Sequence, residues 1–157
     1  MIRTSDPEDA AAVAALYNHY VLHSTVSFET APLDTERMRR RLAAASARFV
    51  CEREGRIVGF GYTHEWKERA AYRHTQEVTV YVAPDSTRLG IGRRLVERLV
   101  AECRATECHA LIACITADNE PSCRLFEAAG FRRVSHFEQV GRKFGRWLGV
   151  VDYELLL

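Results

Sequence analysis

Apolar residues recur along the chain at two periods, and the switches between them divide it into elements. In DPEDAAAVAALYNHYVLHS, the residues Val13, Leu16, Tyr17, Tyr20 and Val21 fall on one helical face, with Asp6 as a cap and Pro7 in the first turn. DTERMRRRLAAAS, after Pro32, predicts a second helix capped by Asp34. RFVCER and IVGFGYTHEW, joined by Glu54 and Gly55, predict a β-hairpin, and TQEVTVYVA a longer strand of β-branched residues. IGRRLVERLVAECRA returns to the helical period through Ile91, Leu95, Leu99 and Cys103. ALIACIT reads as a strand, PSCRLFEAAG as a short helix ended by Gly130, and FRRVSHFEQVG and RWLGVVDYELLL as closing strands. The order is strand, two helices, three strands, helix, strand, helix, two strands. No repeat or linker interrupts it, so residues 1–157 are expected to form one α/β domain, a sheet with helices packed on it.

Composition narrows the function classes. Lys plus Arg number 22 against 21 for Asp plus Glu, so no whole-protein charge draws the chain to nucleic acid or to an anionic membrane. Arg39, Arg40 and Arg41 lack interleaved aromatics and read as a solvated helix face. No apolar run approaches the ~20 residues of a membrane span, and MIRTSDPEDA is unlike a secretory signal. Five cysteines in no CxxC pattern read as small buried residues, and a reducing cytoplasmic setting is expected. His19, His23, His64, His109 and His136 show no metal-ligand spacing, so no metal is expected.

The stretch TVYVAPDSTRLGIGRRL carries the strongest chemical signal. A strand ending at Ala83 and a helix starting near Gly90 leave the first helical N–H groups in need of an acceptor. Gly90 and Gly92 admit an anion close to the backbone, while Arg88, Arg93 and Arg94 add positive charge. Taken alone, the turn suits either a pyrophosphate or a solvated basic rim. A P-loop would need Lys-Ser or Lys-Thr after the last glycine, where Arg93 and Arg94 stand. A dinucleotide fingerprint would need glycine at Leu95.

The turn Thr87, Arg88, Leu89, Gly90, Ile91, Gly92 resembles the acyl-CoA pyrophosphate loop of the GNAT superfamily of N-acetyltransferases, with Thr87 departing from the usual Gln or Arg. That family's later motif is matched by Asn119, Ser122, Phe126, Gly130 and Phe131 in DNEPSCRLFEAAGF. NHYVLHSTVSFETAP, WKERAAYRHTQEVTVYV and VGRKFGRWLGV are similar to the phosphinothricin and methionine sulfoximine acetyltransferase group, over nearly the whole chain. The resemblance implies a GNAT fold: a mixed, largely antiparallel sheet splayed at the acyl-CoA site, with helices on both faces. It also implies a homodimer and acetyl transfer from acetyl-CoA to the α-amino group of a small amino-acid-like substrate, an activity that serves antibiotic or herbicide resistance.

The same likeness assigns roles. An α-amino group with a pKa near ~8 is mostly protonated at neutral pH and needs a base before it can attack a thioester. Glu77 matches the family's glutamate base; read locally, without that likeness, it is better taken as a solvent-facing member of the alternation Glu77, Thr79, Tyr81. His74 ranks second as base and as a substrate contact, alongside Val78 and Thr79. Val80, Tyr81 and Val82 would pair with pantetheine, strand-like, and one N–H would donate to the thioester oxygen. Arg88, Leu89, Gly90, Ile91, Gly92 and Arg93 hold the diphosphate, and Asn119 and Ser122 contact the cofactor, although Asn119 is locally just as good a helix cap. Lys67, Arg69 and Tyr72 match positions that hold the acidic head and carboxylate of the substrate, and Phe28 walls the pocket or fills the core. No general acid is assigned, Tyr153 being poorly located for it. Phe144 and Gly149 depart from the phosphinothricin enzymes and favour the methionine sulfoximine branch or a broader amino-acid acetyltransferase. An acetyltransferase for a protein amine and a non-catalytic acyl-CoA sensor are the alternatives.

Overall fold

The computed structural model describes all 157 residues. Its elements are β1 (Ile2–Thr4), α1 (Ala10–His23), α2 (Thr35–Ala44), β2 (Ala47–Arg53), β3 (Arg56–Glu65), β4 (Thr75–Val82), α3 (Ile91–Arg104), β5 (Ala110–Thr116), α4 (Glu120–Ala128), β6 (Arg132–Lys143) and β7 (Arg146–Leu156). The expected order holds throughout. All seven strands share one sheet in the order β1-β2-β3-β4-β5-β7-β6, antiparallel except for the β4–β5 pair. No helix is long and apolar enough to cross a membrane.

Local chemistry explains the boundaries. Asp6 and Pro7 start a single 3-10 turn, Pro7–Asp9, and α1 begins only after it. The Asp9 carboxylate accepts from the Asp6 N–H at 2.7 Å and from the Arg3 guanidinium at 2.8 and 2.9 Å, tying β1 to that turn. Asp34 caps α2 by accepting from the Arg37 N–H. Glu54 (φ 53°) and Gly55 (φ 72°) form the left-handed pair that a two-residue hairpin turn demands. Phe144 (φ 51°) and Gly145 (φ 72°) do the same between β6 and β7. Gly130 (φ 93°) stops α4, and the Phe131 N–H returns to the Phe126 carbonyl at 3.0 Å.

The two faces of the sheet are covered differently. On one, Tyr17 from α1 meets Phe60 and Tyr81 edge-on, at 6.4 and 5.2 Å between ring centroids. On the other, α3 lies so close that a Cβ on Gly59 would stand 2.9 Å from Ile91 Cγ2, and one on Gly61 2.9 Å from Leu99 Cδ1. Those glycines let the fully buried Leu95 and Leu99 reach the sheet, each contributing roughly 1.5–3 kcal/mol by leaving water. α4 packs beside α3 on that face, its Leu125 against Gly92.

Candidate active site

Strands β4 and β5 start together and then part. Their parallel register covers only Thr75↔Ala110, Gln76↔Leu111 and Glu77↔Ile112, although β4 runs on to Val82 and β5 to Thr116. Beyond Glu77 the backbone groups of β4 that face away from β3 therefore have no strand partner. The gap is a cleft of about 910 Å3 walled by Val78 to Val82 on one side and Ala113 to Thr116 on the other.

At one end of the cleft stands the N-terminus of α3. The first helical bond runs from the Arg94 N–H to the Gly90 carbonyl at 3.1 Å, and the N–H groups of residues 88 to 93 ahead of it have no protein acceptor. Arg88 (φ 63°) and Gly90 (φ 75°) both adopt left-handed backbone, which turns these amides into one concavity. Arg88, Gly90, Ile91, Gly92 and Arg93 line the cleft; Leu89 does not and points to solvent. Arg93 also pairs with Glu97 at 2.7 Å, whereas Arg88 and Arg94 make no ion pair. Asn119 accepts from the Ser122 N–H at 3.4 Å, so it caps α4, and both residues line the cleft as well.

Glu77 lines the cleft where the strands begin to part. Burial pushes its carboxyl above the usual carboxylate range, the nearby His64 opposes that, and the charge of Asp152 adds to it. His64 faces it across the β3–β4 register with Nε2 3.8 Å from Oε1. Thr79 and Tyr81 follow Glu77 on the same face, under Tyr17 and Tyr20 of α1. Desolvation raises the Tyr20 hydroxyl, which donates to the Val82 carbonyl at 2.5 Å. The segment after α1 brings Ser27, Phe28 and Glu29 to the wall; Glu29 is held by Arg41 at 2.8 Å, and the buried Lys143 ammonium donates to the Ser27 carbonyl at 2.7 Å.

The expected site residues thus fall into two groups. Phe28, Glu77, Val78, Thr79, Val80, Tyr81 and Val82 meet around one cleft with Asn119, Ser122 and the α3 turn, Leu89 excepted. Lys67, Arg69, Tyr72 and His74 do not line it. Lys67 lies 4.3 Å over the Trp66 ring and 5.4 Å from that of Tyr72, in the connection between β3 and β4. His74 turns to the Glu107 carbonyl at 3.0 Å and lines a separate small cavity with Gln76, Cys103 and Cys108, away from Glu77. Sequence reasoning missed Tyr17, Tyr20, Tyr62, His64, Cys114 and Thr116, all cleft residues. The tyrosines carried a signal, since their hydroxyls need a partner that an apolar stripe does not provide; His64 and Cys114 needed the register.

A parted parallel pair with a glycine-turn helix at the mouth defines the class, and comparison with known proteins agrees. Residues 13–131 match the model of the acetyltransferase (GNAT) family. The chain is 38% identical to a phosphinothricin N-acetyltransferase of Alcaligenes faecalis, over 96% of this chain and 79% of that protein. It is 36% identical to the L-methionine sulfoximine/L-methionine sulfone acetyltransferase of Salmonella typhimurium, over 99% of this chain and 94% of the relative. An acetyltransferase from Salmonella typhimurium solved with its cofactor acetyl-CoA superposes with a TM-score of 0.97 at 34% identity, covering 100% of this chain and 93% of the other. The chain belongs to the acetyltransferase (GNAT) family.

Proposed function

We propose that this chain transfers the acetyl group of acetyl-CoA to the α-amino group of a small amino-acid-like substrate of the methionine sulfoximine, methionine sulfone or phosphinothricin type. The observation that carries the reading is the cleft between β4 and β5, with unpartnered amides at one end and a partly buried carboxylate at the other. The amides of residues 88 to 93 and the Arg88 guanidinium suit a diphosphate. The free edge of β4 suits the amide groups of pantetheine, which would sit between the strands as an added one.

Transfer then needs few groups. The acceptor nitrogen loses a proton to Glu77, directly or through water, and its lone pair forms the C–N bond. The C–S bond breaks, and the thiolate leaves with a pKa near ~8.5, so no strong acid is required. A backbone N–H of Val80 to Val82 donates to the carbonyl oxygen as it becomes negative. A glutamate whose carboxyl is raised by burial is a better base at neutral pH than an exposed one. Lys67, Arg69 and Tyr72 lie outside the cleft and would reach the acid groups of the acceptor once the β3–β4 connection folds over it, while Phe28 walls its side chain. His74 keeps its place as a substrate contact only if the 73–75 backbone turns toward the cleft.

The whole 157-residue chain acts as one catalytic domain in the cytoplasm, as a homodimer, and its activity confers resistance to toxic amino-acid analogues. The dimer reading is supported by the β6–β7 hairpin, where Phe137 and Val140 on the edge strand β6, Phe144 in the turn and Trp147 on β7 are each more than half exposed. Thiol release from acetyl-CoA with a panel of methionine sulfoximine, methionine sulfone, phosphinothricin and common amino acids tests the function. Turnover with a free amino acid supports it; release only with peptide or protein amines, or none at all, overturns it.

A further inference from the structure

The acceptor face of the sheet carries a second carboxylate that the reaction described above does not use. Side chains alternate along a strand, so register decides which of them share a face. Glu77 pairs with Ile112, Ile112 with Glu154, and Cys114, two residues along β5, with Asp152. Glu77, Cys114, Asp152 and Glu154 therefore project from one face, with β5 alone separating the first from the last two. Their surroundings differ. Glu154 is neutralised by Arg132 at 3.3 Å. Asp152 has no cation: its carboxylate accepts from the Ser135 hydroxyl at 2.8 Å, and that hydroxyl accepts from the Asp152 N–H at 3.2 Å. The charge is thus fixed in place and left uncompensated.

Resting on the acetyl-transfer reading, we infer that Asp152 is a positioning residue for Glu77: its anchored, unpaired charge keeps the base carboxyl ready to hold a proton and draws the acceptor's ammonium toward it. The titratable groups facing Glu77 are His64 on β3, Cys114 on β5, Asp152 and the Arg132-paired Glu154 on β7, and the Arg41-paired Glu29 across the cleft. Of these, His64 opposes protonation of Glu77 and Asp152 favours it. Cys114 reports the same field from between them. Its thiol is pushed up to about 12 by desolvation first and then by Asp152 and Glu77. Asp152 takes no proton in the transfer; the proton leaving nitrogen still goes to Glu77 as the C–N bond forms and the C–S bond breaks.

The test compares the full-length protein with Asp152→Asn, which keeps an oxygen for the Ser135 hydroxyl, with Asp152→Glu, which keeps the charge, and with Glu77→Gln. Asp152→Asn is expected to move the acid limb of the kcat–pH profile to lower pH and to raise the amine KM about three- to tenfold, the loss of one partly screened charge contact. The KM for acetyl-CoA stays unchanged, and Asp152→Glu recovers most of both effects. Iodoacetamide labelling of Cys114, followed by peptide mass mapping, speeds up several-fold in Asp152→Asn because the thiol ionises more readily. That readout needs no turnover and stands even if the acetyl-transfer reading fails. An unmoved pH limb, unchanged amine KM and unchanged labelling, beside a Glu77→Gln enzyme that has lost turnover, overturn the role of Asp152 alone. Full activity in Glu77→Gln overturns the base assignment instead. If Asp152→Asn does not fold, Asp152→Glu must still keep the wild-type pH limb, and a displaced one contradicts the inference.

Discussion

Gly141 gives the acceptor pocket a wall that one methyl group can move. A Cβ built there would lie 2.3 Å from Phe28 Cε2 and 2.9 Å from Cδ2 and Cζ. Carbon atoms rest at about 3.5–4.0 Å, so Gly141→Ala must drive the ring away by roughly 1.2–1.7 Å. Phe28 is 41% exposed and lines the cleft, so the ring has open space on the acceptor side and little reason to unfold the hairpin. The wall then advances by about the depth of a methylene. A misfit of that size costs ~1–3 kcal/mol in transition-state binding, or roughly 5–150-fold in kcat/KM. Steady-state kinetics over amino acids of increasing side-chain length should show the loss growing with length, with the KM for acetyl-CoA unchanged. Adding Phe28→Ala to Gly141→Ala should restore the long substrates. A uniform loss across the panel, or a double variant no better than Gly141→Ala, would refute the reasoning.

Other outcomes follow from the same geometry. Gly61→Ala sets a Cβ 2.9 Å from Leu99 Cδ1 and 3.1 Å from the Thr79 carbonyl, and is expected to cost about 1–3 kcal/mol, or roughly 3–10 °C in Tm by calorimetry. Burial raises the Glu77 carboxyl, so its contribution to stability is fully present below the ordinary glutamate pKa and is lost as pH rises through the folded-state value. Glu77→Gln should therefore raise Tm at neutral pH and match wild type at acid pH; a lower Tm at neutral pH would contradict this. Phe137→Asp on the exposed edge strand should convert a dimer to a 17.9 kDa monomer in sedimentation, and a wild-type protein already monomeric at micromolar concentration would end the dimer proposal.

Periodicity and turn residues made most of the fold legible. The Glu54-Gly55 hairpin, the Gly130 stop and the α3 start after Gly90 all rest on backbone conformations that few residues adopt, so the sequence marks them sharply. The onset of α1 was blurred because Asp6 and Pro7 begin a helix as readily as a 3-10 turn, and the Asp9 contacts to Arg3 and to the Asp6 N–H sit at that turn. The glycine turn at the start of α3 was legible because it is one contiguous stretch, and it lines the cleft. The Glu77 end of the cleft is built from α1, the 24–32 segment, β3, β4 and β5, and which side chains meet there depends on pairings such as His64↔Glu77 that no local pattern encodes. In the Lys67–His74 stretch, Lys67 lies over the Trp66 ring and His74 turns to the Glu107 carbonyl, placements that depend on the path of the β3–β4 connection and on β5 rather than on any local pattern.

The central proposal is that Glu77 takes the proton from an amine that attacks acetyl-CoA held between β4 and β5. Single-turnover thiol release by Glu77→Gln, measured beside acetyl-CoA affinity by titration calorimetry, tests this most directly. The expected result is a rate lower by about 10²–10⁴-fold with acetyl-CoA binding retained. Wild-type rates across the pH range, or a variant that has lost acetyl-CoA binding along with turnover, would contradict it.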